Sequence, residues 1–233
     1  MVRETPSLSN DLVYQDVISI ARNLHDPDIL FLPHDLLHPS LNFNPQASGS
    51  FPQPDEGKAF IVQSSTPSTK RIGFRIRLQA KTAAKMLPFE VPLVKALVQQ
   101  GRLHINEADR MHVAFQEALT NAIDHGCLEL NSALRVVEEA DGRTEYDRLR
   151  ETRLGNPVFA QRLIWLSFRI TPQFFICRIT DSGKGYVSRD ELDALTNIER
   201  PSGRGLMLMR QFTDRITYNK KNNQVTLMKQ LFK

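Results

Sequence analysis

Three short stretches of this 233-residue chain hold side chains whose types and spacing could do phosphate chemistry. The first is Phe115-Gln116-Glu117-Ala118-Leu119-Thr120-Asn121-Ala122-Ile123-Asp124-His125-Gly126. Glu117, Asn121 and His125 recur at every fourth position and so form one row on a helix. The neighbouring rows, Ala114-Ala118-Ala122 and Phe115-Leu119-Ile123, are apolar and should face a sheet, which puts the polar row at the border of the buried face. There Asn121 can offer a neutral oxygen to Mg²⁺, and Glu117 can take a proton from an attacking hydroxyl. Taken alone, the pattern fits an ordinary amphipathic helix equally well.

The second stretch is Ile179-Thr180-Asp181-Ser182-Gly183-Lys184-Gly185. An Asp ending an apolar strand, followed by Gly-x-Gly, sets a hydrogen-bond acceptor beside a backbone that a ligand can approach closely. Such an acceptor could read an exocyclic amine like that of adenine, although Asp and Gly also make plain strand-to-loop turns. The third stretch, Pro201-Ser202-Gly203-Arg204-Gly205-Leu206-Met207, puts glycines just before an apolar helix. Exposed N–H groups at a helix's positive end cradle phosphate, and Arg204 could reach the terminal one; a glycine-rich helix cap would look the same.

The elements that must position these residues begin near residue 71. Residues 71–78 alternate apolar and basic side chains, the period of a half-buried strand. Helices are predicted over 91–100 and 106–125, the second capped by Asn106 and stopped by Gly126. Residues 132–160 are charged, of mixed sign, and read as a surface insertion with helical periodicity in parts. Strands follow at 163–170 and 174–180, a short helix at 205–212, and strands at 215–219 and 224–231 joined by a turn at 220–223. These elements predict an α+β, two-layer sandwich: a mostly antiparallel sheet with helices on one face.

Residues 1–70 differ in texture and read as an amino-terminal extension. Residues 11–24 have helical apolar spacing (Leu12, Val13, Val17, Ile18, Ile20, Ala21, Leu24), and the proline-rich run 39–70 reads as linker. The helix suits either an appendage packed on the main domain or a partner-docking segment. With 41% apolar residues the chain can bury a core, and its net charge of +4 is modest. No basic run interleaved with aromatics points to direct nucleic-acid binding, and no apolar run is long enough to span a bilayer. Cys127 and Cys177 lie in apolar surroundings without metal-ligand spacing, which suits reduced thiols and a cytoplasmic setting.

In order, Glu-x-x-x-Asn on a helix, Asp-x-Gly-x-Gly after a strand, and Gly-x-Gly opening a helix resemble the GHKL ATPase superfamily, over residues 71–233. The segments EALTNAIDHG, DSGKGY and SGRGLMLMRQFTD resemble the bacterial anti-sigma-factor serine kinases most closely. That resemblance implies ATP and Mg²⁺ as cofactors, with Asn121 coordinating the metal and Glu117 acting as general base. It implies that Asp181 holds adenine, with Gly183 and Gly185 shaping the pocket and Thr226 supporting the contact. Gly203, Arg204 and Gly205 would border the phosphates, and residues 186–202 would form a lid. The implied activity is phosphorylation of a Ser or Thr on an anti-sigma-factor antagonist, alternating with sigma-factor binding, and the implied assembly is a homodimer. An ATP-binding interaction module with little or no turnover is the alternative, since the same pocket serves both. A histidine kinase would need a phospho-accepting helical hairpin, for which His25 beside prolines is a poor substitute. The insertion and the amino-terminal extension depart from the compact members of the group.

Overall fold

A computed structural model describes residues 30–33, 72–85, 88–135, 142–185 and 204–232. The sequence-predicted helix at 11–24, the linker at 39–70, the lid at 186–202 and Gly203 lie outside these. Six strands form one antiparallel sheet: β1 (Leu30–Pro33), β2 (Ile72–Gln79), β3 (Leu163–Ile170), β4 (Phe174–Asp181), β5 (Arg215–Tyr218) and β6 (Gln224–Gln230). Their order across the sheet is β1-β2-β3-β4-β6-β5. Five of these strands were predicted. The sixth, β1, which no sequence pattern had marked, pairs Leu30 with Arg77 and Pro33 with Phe74. Pro33 ends the strand, and β1 lies at the sheet's edge, where a missing N–H is tolerated.

The central strands β3 and β4 alternate strictly. Ile164, Leu166, Phe168 and Ile170 of β3 and Phe175, Cys177 and Ile179 of β4 are buried, while the residues between them face the other way. Against the buried face packs α3 (Ile105–Asn121) through Met111, Phe115, Ala118 and Leu119. Phe115 meets Phe168 at 5.7 Å between ring centroids, and Phe168 stacks on Phe175 at 6.4 Å. Each such ring removes enough apolar surface from water to contribute about 2 kcal/mol. The helical layer also holds α1 (Ala80–Ala83), α2 (Val91–Gln99), α4 (Glu145–Gly155), α5 (Pro157–Ala160) and α6 (Arg204–Phe212). The two-layer α+β arrangement is the one the alternation predicts.

Two local details differ from expectation. The cap of α3 is His104, whose Nδ1 accepts the Asn106 N–H at 3.3 Å. Asn106 sits inside the first turn, where its N–H is one of the donors a cap must satisfy. At its other end α3 does not stop at Gly126 but widens into a π-helical turn, Ala122–Cys127. Residues 142–160, within the segment read as a surface insertion, form a docked arm, with α4 opened by a capping box between Thr144 and Asp147. Its anchor is Asp124 on the π turn, which accepts from Tyr146 Oη at 2.7 Å and Arg150 Nε at 2.8 Å.

Candidate functional site

The three chemical stretches are joined through α3: the start of α6 lies against Glu117, and the end of β4 lies against the π turn that follows the helix. Glu117 and Asn121 are half-buried on adjacent turns of α3. Against that surface packs α6, whose apolar side carries the buried Leu206 and Met209. The approach is so close that a Cβ on Gly205 would overlap the Glu117 carboxylate. Glycine at 205 lets the Glu117 carboxylate settle against the first turn of α6, and a larger residue there would push that carboxylate aside. Arg204, the first residue of α6, is exposed at the same end. His125, the third member of the polar row, has its Nδ1 within 2.8 Å of the Leu130 carbonyl. That bond ties its ring to the chain.

Asp181, the last residue of β4, is 2% exposed. Its Oδ1 accepts the Gly183 N–H at 2.8 Å. Burial pushes its pKa up to about 7, against the opposing pull of that N–H and of the Arg162 charge. Gly126 of the π turn faces this carboxylate so closely that a Cβ there would collide with it. One helix and its π extension thus bring the Glu117–Asn121 pair and the wall of the Asp181 pocket into a single rigid piece. π turns of this kind recur at functional sites because they shift helix register locally. Gly185, with φ of +93°, lies against the Lys221 carbonyl in the β5–β6 turn.

Thr226, expected to support the adenine contact, lies apart from Asp181. Its Oγ1 accepts from Arg178 Nε at 3.3 Å, and its cross-strand partner is Arg178. Direct partners share a face, and Arg178 belongs to the set alternating with Asp181 on β4. Thr226 therefore lies on the side of the sheet away from Asp181.

Asn223 takes a role that sequence reasoning assigned only to a turn. It is buried, its Nδ2 donates to the Asp181 carbonyl at 2.9 Å, and its carbonyl accepts the Asp181 N–H at 3.0 Å. Asn219 Nδ2 in turn holds the Asn223 Oδ1 at 2.8 Å. Ser182 secures the other flank, bonding Leu163 through both its N–H and its Oγ at 2.9 Å. The only sequence signal was the density of asparagines at 219–223, which reads as turn composition.

Mg²⁺ prefers hard oxygen ligands and keeps part of its water shell. A half-buried carboxamide one turn from a carboxylate, beside a helix amino terminus, fits that preference and suits a phosphate-bound ion. Among the described residues no group of three or more His, Cys, Asp or Glu side chains could cage a metal. A cation here would draw most of its ligands from phosphate and water.

An α/β sandwich with a buried acceptor at a strand end, and a helix amino terminus beside a carboxylate on the main helix, suits a nucleotide-binding class of protein. Residues 91–229 match the family described as the histidine kinase-like ATPase domain, and this chain belongs to that family. The comparison with curated proteins finds no match. Among the described residues no helix is long and apolar enough to cross a membrane.

Proposed function

We propose that this chain is an ATP- and Mg²⁺-dependent protein serine/threonine kinase of the partner-switching type, acting on an anti-sigma-factor antagonist and holding a sigma factor in alternation. The observation that carries the proposal is the seating of Glu117 against Gly205. It puts a carboxylate at the helix end where the terminal phosphate of a nucleotide would be bound. Asp181 would accept the exocyclic amine of adenine. Arg204 and the N–H groups opening α6 would balance phosphate charge. Asn121 would hold Mg²⁺, which when bound neutralises charge on the transferring group.

In the reaction, Glu117 takes the proton of a Ser or Thr hydroxyl on the partner. The hydroxyl oxygen bonds to the γ-phosphorus as its bond to the bridging oxygen breaks, releasing ADP. Positioning and charge neutralisation supply most of the rate in such transfers. The motifs that resemble the anti-sigma kinases support the choice of a protein hydroxyl as acceptor, and the same resemblance supports a dimer and a cytoplasmic setting.

The test is calorimetric titration of ATP, with and without Mg²⁺, on the wild type and Asn121→Ala, followed by phosphate transfer assays with Glu117→Ala. The expected result is Mg²⁺-dependent binding that weakens by roughly tenfold or more in Asn121→Ala. Glu117→Ala should bind ATP yet lose transfer by at least about a hundredfold. ATP binding by the wild type with no transfer to any Ser or Thr acceptor would overturn the kinase reading in favour of a binding module.

A further inference from the structure

The helices cover one face of the sheet, and the opposite face carries a pattern that nucleotide chemistry does not use. On β2 the outward set includes Arg75 and Arg77, between the buried Ile76 and Leu78. Register carries the pattern across the sheet: Arg77 pairs with Trp165, and Arg75 with Ser167, which pairs in turn with Arg178. One row further on, Arg169 pairs with Ile176, Ile176 with Met228, and Met228 with Arg215. Five arginines thus share this face with Trp165 and, two rows further along the strands, with Ile176 and Met228. Like charges at this spacing repel, and burial together with the Arg178 charge lowers the Arg75 pKa. Trp165, Ile176 and Met228 are partly buried, yet none belongs to the core shared by the sheet and its helices.

We infer that this arginine-rich face is the docking site of the chain's own amino-terminal segment, residues 11–24, bound as an amphipathic helix with its apolar stripe on Trp165, Ile176 and Met228. Charge selects this occupant. Residues 1–29 hold five acids (Glu4, Asp11, Asp16, Asp26, Asp28) against two bases (Arg3, Arg22). Connectivity delivers it, because the segment leads into β1, whose Leu30 is paired with Arg77 at the rim of the same face. A tethered ligand acts at high effective concentration, so modest contacts suffice. The dimensions agree: a helix over residues 11–24 is about 21 Å long, and the five strands from β2 to β5 span about 19 Å. The stripe of Val13, Val17, Ile20 and Leu24 is the one long apolar row in that segment.

Trp165 is the single tryptophan of the chain, so its fluorescence reports this face directly. The experiment compares acrylamide quenching of the full-length protein with that of the full-length double variant Val17→Asp, Ile20→Asp. Circular dichroism and melting verify that the domain itself stays folded. Quenching should rise by roughly threefold in the variant as the indole becomes solvated. A synthetic peptide of residues 8–26, added in trans, should restore the wild-type value. Equal quenching in both proteins would overturn the inference. So would shielding that varies with protein concentration, which assigns the face to a second copy, or shielding that arises only on adding an oligonucleotide.

Discussion

Two buried aspartates stand on either side of the same π turn, and they are treated in opposite ways. Asp124 and Asp181 are each 2% exposed. Asp124 receives the Tyr146 hydroxyl and the Arg150 guanidinium, with Arg135 at 3.7 Å and stacked over the Tyr146 ring. Asp181 receives one backbone N–H, and its pKa is driven up to about 7. A carboxylate taken out of water needs charged or multiple partners to stay ionised. Asp124 is partnered by a hydroxyl and two guanidinium groups and fastens the arm 142–160 to the core. Asp181 lacks them, and an acceptor held in that condition is available to a ligand that brings its own donors. Burial alone therefore does not identify a functional carboxylate; the count of partners does.

The comparison can be broken most forcefully at Asp124. Replacing it with Ala leaves Tyr146 and the two arginines without their acceptor, and should cost about 3 kcal/mol of stability, reduced somewhat because Arg150 can turn to solvent. Urea unfolding measures this. A loss below about 1 kcal/mol would mean that the arm is not held by this contact.

The matching change at the other site should act on binding instead. Asp181→Asn removes the charged acceptor, and ATP affinity should fall by about a hundredfold, as for a lost charge-assisted hydrogen bond. Its unfolding midpoint at pH 8 should equal or exceed that of the wild type, because the neutral side chain no longer has to be buried as an anion. A variant that is destabilised as strongly as Asp124→Ala would erase the distinction between the two sites.

Acidity gives the finest test. The folded pKa of Asp181 is raised above its unfolded value, so its contribution to the stability of the empty protein is full below that unfolded value and fades as pH rises through 7. Binding would run the other way, since the ionised carboxylate accepts more strongly than the neutral acid from an adenine amine. ATP affinity should rise roughly tenfold between pH 6 and pH 8, and calorimetry in matched buffers would follow it. The slope should vanish in Asp181→Asn; a slope that persists there belongs to another group.

Much of this was legible in one dimension. The period-two runs at 71–78, 163–170 and 174–180 marked three strands nearly to the residue, because a sheet buried on one face demands alternation, and the runs at 215–219 and 224–231 marked two more. Glu117, Asn121, Asp181 and Gly205 could be named from spacing, because a helix repeats every fourth position and glycine marks close approach. Thr226 was misplaced for the same reason in reverse: on a strand one step in register exchanges the two faces, and the start of β6 is set by the turn at 219–223. Asn223 and Asp124 were invisible as site and anchor, since their partners lie 42 and 22 residues away.

What the sequence determined by itself is the alternation of its strands, the polar row on α3 and the order of the three motifs, all of which are local properties of the chain. Only the tertiary structure decided that Gly205 meets Glu117, that Gly126 closes on Asp181, and that arginines scattered from 75 to 215 gather on one face. Those contacts depend on strand register and helix docking, which are set by the packing of the whole core and are written at no single position.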